Sequence, residues 1–216
     1  MEREITAIKA QRKNQQRVSI YLDGDFAFGL SRFVAAWLKP GQYLTQAEIE
    51  KLQDQDTFEV AFQKAIQFIH HRPRSIEETR RRLFEKGFSS EVIESTIEKL
   101  LEKNWLDDLE FARQWIENRN TFRPRSHQFL TYELRQKGVA DEIIIRALDQ
   151  YGADENEMAY QAGIKKAQQC HDQPQPIFNK KVSSFLSRRG FSYALVKQAV
   201  DRLWSDHSSA GQEHLN

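Results

Sequence analysis

The chain has little of what most catalysis and most membrane insertion require. Its 216 residues contain one cysteine, Cys170, so an internal disulfide is excluded, and so is any multi-cysteine zinc site. A lone thiol fits a reducing compartment. Cys170 lies in the polar stretch Ala167-Gln168-Gln169-Cys170-His171 and reads as a tolerated free thiol, since one adjacent His does not make a nucleophile–base pair. Long apolar runs are also missing. No stretch reaches about 18 residues, so no membrane span is expected, and Met1-Glu2-Arg3-Glu4 does not open like a signal peptide. The expected location is the cytoplasm. Finally, charge of one sign is lacking: 32 Lys and Arg stand against 31 Asp and Glu. Any nucleic-acid role must therefore rest on local clustering.

Catalytic signatures are absent as well. Gly24-Asp25-Phe26-Ala27-Phe28-Gly29 has the glycine spacing of a phosphate loop, but Leu30-Ser31 stands where Lys and Ser/Thr are needed. Asp107-Asp108 precedes an apolar pair and reads as helix capping rather than paired metal ligands. His70-His71 sits at a helix end, where partial negative charge favours an imidazolium over a bound metal. No catalytic residue, metal ligand or cofactor is expected.

What is present is a β-rich start followed by helix. Val18, Ile20 and Leu22 alternate onto one face, Asp23-Gly24 supplies a tight hairpin, and Phe26, Phe28 and Leu30 return on one face. Ile5-Thr6-Ala7-Ile8 offers a third strand. A short helix is expected over Arg32–Leu38, and Thr45 with Glu48 has the spacing of a capping box for another. From Asp56 onward the pattern is helical, with Phe58, Ala61, Phe62, Ala65, Phe68 and Ile69 on one stripe. Pro73 stops that helix, Ser75 starts the next, and Gly87 ends it.

This arrangement recurs. Leu83-Phe84-Glu85-Lys86-Gly87-Phe88 matches Leu134-Arg135-Gln136-Lys137-Gly138-Val139 and Leu186-Ser187-Arg188-Arg189-Gly190-Phe191. Arg72-Pro73-Arg74-Ser75 returns letter for letter as Arg123-Pro124-Arg125-Ser126. Such a period marks a repeat protein whose units bury their apolar faces by stacking. The expectation is a mainly α fold: three tandem three-helix repeats in an elongated, curved array, preceded by a small β-hairpin or meander with short helices. The segments are a cap over 1–54, repeats over 55–104, 105–152 and 153–204, and a flexible tail over 205–216. Repeat 3 diverges most, with a polar insertion from Gln168 to Pro176 and no Arg-Pro-Arg-Ser.

Positive charge follows the repeats. Arg72, Arg74, Arg80, Arg81, Arg82 and Lys86 crowd the first, Arg119, Arg123, Arg125, Arg135 and Lys137 the second, and Lys180, Lys181, Arg188 and Arg189 the third. Lys86, Lys137 and Arg189 precede stop glycines, where a cation complements the helix dipole. Arg72, Arg74, Arg123 and Arg125 flank helix starts, where that explanation fails and a partner is the better one. The aromatic residues, Trp105 and Trp115 among them, fall mostly on core stripes and read as packing rather than base-stacking platforms.

Taken in order, Arg72-Pro73-Arg74-Ser75, Lys86-Gly87-Phe88, Leu106-Asp107-Asp108-Leu109-Glu110-Phe111-Ala112 and Glu133-Leu134-Arg135-Gln136-Lys137-Gly138-Val139 resemble the RecX family. Gln16-Arg17-Val18-Ser19-Ile20-Tyr21-Leu22-Asp23-Gly24 is similar to an extra N-terminal segment of some members. The resemblance implies a monomeric, non-enzymatic regulator that lies in the groove of the RecA–DNA filament. It further implies inhibition of strand exchange, ATP hydrolysis and coprotease activity, in recombination, repair and the SOS response. Under it, Arg72, Arg74, Arg123 and Arg125 are the expected main contacts, supported by Lys86, Arg135 and Lys137, with single- or double-stranded DNA a possible further partner. Direct binding of a DNA or RNA backbone, and a helical scaffold for another protein, stand as competing readings.

Overall fold

A computed structural model describes residues 2–213, with side chains through Asp206. The described residues form four strands, β1 (Arg3–Gln11), β2 (Asn14–Leu22), β3 (Asp25–Ser31) and β4 (Tyr43–Leu44). Nine α-helices follow within them: α1 (Gln46–His71), α2 (Ile76–Glu85), α3 (Ser90–Glu102), α4 (Asp108–Phe122), α5 (His127–Gln136), α6 (Asp141–Tyr151), α7 (Glu155–Gln168), α8 (Gln175–Ser187) and α9 (Tyr193–Glu213). Taken in threes, the helices are repeats 1, 2 and 3. The chain divides into two compact units. The first runs to Arg72 and adds Thr79–Leu106; the second joins Pro73–Glu78 to the chain from Asp107 onward.

In the first unit the strands pair antiparallel in the order β3-β2-β1-β4. Asp23 and Gly24 take φ of 52° and 96°, the two positive values a two-residue hairpin requires. Ile5, Ile20, Leu22, Leu30 and Leu44 fill the space under the sheet with Ile49 of α1. The alternation expected of β3 fails at one end. Ile20 pairs with Phe28 but Tyr21 with Phe26, so a bulge breaks the period of two and leaves Phe26 60% exposed. The helix expected over Arg32–Leu38 is a single 3₁₀ turn, Val34–Trp37.

Thr45 and Glu48 do form a capping box, and the helix they open does not stop. No Gly or Pro interrupts the sequence between Gln46 and His71. The boundary expected near residue 55 therefore lies inside α1, which serves both the sheet and repeat 1. Asp56 ties them. Its buried carboxylate accepts from Arg17 Nη2 at 2.7 Å and from the Ser31 amide at 2.5 Å. Beyond it Ala61, Phe62 and Ala65 are buried, as are Leu83, Ile93, Ile97 and Leu100; α1 lies against α3, and Phe62 stacks on Trp105.

The second unit carries two further cores. Phe111, Ala112, Ile116, Leu130, Leu134, Ile144 and Ala147 make that of repeat 2. Repeat 3 is built on Phe178, Val182, Leu186, Val196 and Leu203, and includes Cys170, a core thiol rather than part of a polar loop. Small residues let α7 lie close to α9: a Cβ on Gly163 would stand 2.5 Å from Leu203 Cδ1. The acidic N-caps are as the sequence indicates, with Asp107 accepting from the amides of Leu109 and Glu110, and Asp154 from that of Glu157. Beyond residue 205, where a flexible tail is expected, α9 continues to Glu213; residues 214–216 lie outside the described residues.

Candidate functional site

The Arg-Pro-Arg-Ser segments and the stop glycines meet in space, one register apart. Within the second unit, Ser75 caps α2 through the Glu78 amide and also donates its hydroxyl to the Lys137 carbonyl at 2.6 Å. Lys137 Nζ donates back to Glu78 Oε1 at 3.0 Å, and the Ile76 amide donates to Asp108 at 2.9 Å. A Cβ on Gly138 would fall on Glu77 Cβ, so only glycine admits the turn. The pattern is then used again. The Ser126 amide donates to the Arg189 carbonyl, Arg189 Nη1 to the Pro124 carbonyl at 3.1 Å, and the His127 amide to Glu155 at 2.6 Å. A Cβ on Gly190 would stand 2.6 Å from Ser126 Oγ. Each X-Pro-X-Ser turn therefore latches onto the Lys/Arg-Gly stop of the next repeat. Repeat 3 has no Arg-Pro-Arg-Ser turn.

This latch sorts the seven basic residues singled out from sequence. Arg74, half-buried, lies 3.9 Å from Glu78. Arg125 places its guanidinium 4.4 Å over the Phe129 ring, with Nη1 3.5 Å from the Arg188 carbonyl. Lys137 is held by Glu78 and lies 5.3 Å from the Trp115 ring centre. Arg135 grips Asp141 with two hydrogen bonds of 2.7 and 3.0 Å. These four have local structural partners. Arg72, Arg123 and Lys86 are exposed, the first two at the C-caps of α1 and α4. Arg123 and Lys86 make no ion pair among the described residues.

The structure also gathers cations that the sequence reading left off its site. Arg189, held against Pro124, has Arg125 and Arg123 for neighbours. Burial, and then those two positive charges, push its guanidinium below the ordinary arginine value. Lys165 and Lys166, in the last turn of α7, line the same groove of about 410 Å³ with Asn120, Phe122 and Phe185. No carboxylate lines it. Like charges held this close lower their mutual repulsion by binding an anion. Two adjacent lysines at a helix C-terminus look like dipole complements in sequence, so only the fold reveals them as part of a site. Among the described residues no cluster of His, Cys, Asp or Glu could hold a metal ion, and no helix is long and apolar enough to cross a membrane.

The chain matches family models along its length: the regulatory protein RecX N-terminal domain over residues 3–45, and the first, second and third RecX three-helix domains over 61–100, 107–148 and 153–200. Regulatory protein RecX of Bacillus pumilus is 30% identical over 215 residues, spanning 97% of this chain and 81% of that protein. The chain belongs to the RecX family. The RecX of Listeria monocytogenes serotype 4b is 28% identical over 98% of this chain and 80% of its own length. A crystal structure of regulatory protein RecX shares the fold at TM-score 0.71 and 24% identity, over 92% of this chain and 99% of that one. RecX from Lactobacillus salivarius does so at 0.61 and 18%, over 69% and 97%. The three RecX helical domains coincide with repeats 1 to 3, and the RecX N-terminal domain with the sheet. Relatives bearing the name of a regulatory protein point to a regulatory role. In RecX terms the latch at Ser126 joins the second and third helical domains, and the cationic groove lies where those two meet.

Proposed function

We propose that this chain regulates the RecA recombinase by binding the RecA–DNA filament, and that it mainly restrains strand exchange, ATP hydrolysis and coprotease activity without catalysis of its own. The observation that carries the reading is a groove lined by Arg189, Lys165 and Lys166 without a carboxylate, with Arg125 and Arg123 close enough to Arg189 to repel its charge. Such a groove suits a phosphate backbone or an acidic protein face, and each phosphate neutralised releases counterions. The main contacts fall to Arg123, Lys165, Lys166 and Arg189 of the second unit, with Arg72 and Lys86 of the first unit as further contacts. Arg74, Arg125, Arg135 and Lys137 chiefly hold the repeats in place. A monomer working in the cytoplasm is the state this reading assigns.

The test is the DNA-dependent ATPase of RecA with this protein at substoichiometric ratio. The wild-type chain lowers the rate, and the triple variant Arg123→Glu, Lys165→Glu, Lys166→Glu lowers it at least tenfold less well while keeping its helical circular dichroism. Undiminished inhibition by the folded variant overturns the site. A second reading, direct binding to naked DNA or RNA, is favoured by Phe122, 74% exposed on the groove, since an aromatic face can stack a base. It calls for tight, salt-sensitive binding with no recombinase present.

A further inference from the structure

Among the described residues, the chain's own turns fill the stops of repeats 2 and 3 and leave that of repeat 1 open. Gly87 has the same left-handed geometry as Gly138, with φ of 82° against 76°, yet nothing lies within 4 Å of where its Cβ would be. The sheet is tied to α1 at Asp56 through Arg17 and Ser31, and its Asn14 and Gln16 share a groove with α1 as far as Gln67, but no sheet residue lines the pocket at the stop. Beside the open stop is a pocket of about 270 Å³ lined by Lys64, His71, Arg82 and Lys86, with no carboxylate in its wall. Arg82 shares an exposed pair with Glu85 at 3.2 Å, whereas Lys86 and Lys64 make no ion pair among the described residues.

We infer that the Lys86–Gly87 stop is a docking site for a partner protein's acidic helix N-terminus, one opened by an X-Pro turn and capped by Ser or Thr. The occupant's chemistry comes from the filled copy in repeat 2. There a serine hydroxyl donates to the carbonyl of the stop lysine, and a carboxylate three residues on accepts from that lysine's Nζ. A backbone without a Cβ lets the first helical turn close in. Lys86 and Gly87 repeat the acceptor, the cation and the gap. A positive pocket with no acid of its own asks for the carboxylate. A second copy of this chain is a poor occupant, because both of its X-Pro-X-Ser turns are engaged within its own second unit. The inference is independent of the recombinase reading.

The experiment uses the full-length, ¹⁵N-labelled chain and a synthetic, side-chain-cross-linked helical peptide opening Pro-Gln-Ser-Ile-Glu-Glu. Saturable amide shifts at Lys86, Gly87 and Phe88 are the expected result. They should weaken about tenfold with Lys86→Glu, an exposed substitution that leaves the core intact, and equally when the peptide's serine becomes Ala and its second Glu becomes Lys. Three results overturn the inference: no saturable shift at these amides, an unchanged affinity in Lys86→Glu, or shifts confined to Lys137–Val139, which report displacement of the chain's own turn.

Discussion

Replacing Gly87 and Gly138 separately by alanine should give two different answers, although the sequence presents the two glycines as equivalent. Both hold positive φ, so each Ala variant carries the left-handed strain of an L-residue, about 1–2 kcal/mol. At Gly87 that is the whole cost, since the added methyl meets nothing. At Gly138 the methyl would fall on Glu77 Cβ and Cγ, and the Cβ is fixed to the first turn of α2, so no rotamer change removes the clash. Overpacking of this kind adds about 1–3 kcal/mol. If the turn backs away instead, the Ser75–Lys137 hydrogen bond goes, worth about 1 kcal/mol. Gly138→Ala should therefore lie about 2 kcal/mol below Gly87→Ala, which for a chain of this size is about 4–8 °C in Tm. Scanning calorimetry of both variants makes the comparison. Adding Ser75→Ala should then cost clearly less in the Gly138→Ala background than in the wild type, because both changes open the same latch. Equal melting of the two glycine variants, or strict additivity with Ser75→Ala, refutes the latch.

Three further outcomes are expected. Asp56→Ala strands Arg17 and frees the Ser31 amide, at a cost of about 3 kcal/mol for breaking a largely buried pair; amide exchange in β2 and β3 should accelerate while α8 and α9 stay protected. Glu110 is pulled from its ordinary 4.5 to about 2, chiefly by hydrogen bonds from Arg113 and then from Gln114. The folded value lies below the unfolded one, so its contribution is present above about pH 4.5 and fades as the pH falls toward 2. A carboxyl NMR titration should find that low midpoint and should see it rise in Arg113→Ala. Gly163→Val drives a methyl into Leu203 and should destabilise repeat 3 by about 2–3 kcal/mol, read as a lower Tm that Leu203→Ala partly restores.

The helical periodicity, the breaks at Pro73 and Pro124 and the recurring stop glycines made the repeat architecture legible, because each is a local constraint on φ/ψ or on burial. The charge argument at Arg74 and Arg125 left their partners inside the fold out of account. Arg74 does face a helix start, but it lies 3.9 Å from Glu78, the carboxylate that also holds the distant Lys137. A contact between residues about sixty positions apart leaves no mark in a local pattern. Lys165 and Lys166 were hidden for the opposite reason, their local setting offering a sufficient explanation at the end of α7. The fusion of the cap's last helix with repeat 1 was missed because a polar run such as Glu50–Gln55 resembles a linker. Helix needs only the absence of a breaker there and a buried partner for Asp56. Phe26 went astray on a one-residue bulge, which shifts every outward and inward position beyond it.

The offset between turn and stop also bears on how the molecule is best dissected. Cutting at residue 105, where the repeat pattern alone suggests a seam, would release a C-terminal piece stripped of Ser75 and Glu78, with Lys137 unsatisfied and a bare slot over Gly138. A piece that carries Pro73–Glu78 along, as a linked or added strip, keeps its own first staple. Whoever expresses the last two repeats by themselves should expect the strip, more than the choice of seam, to decide between a soluble fragment and a precipitate.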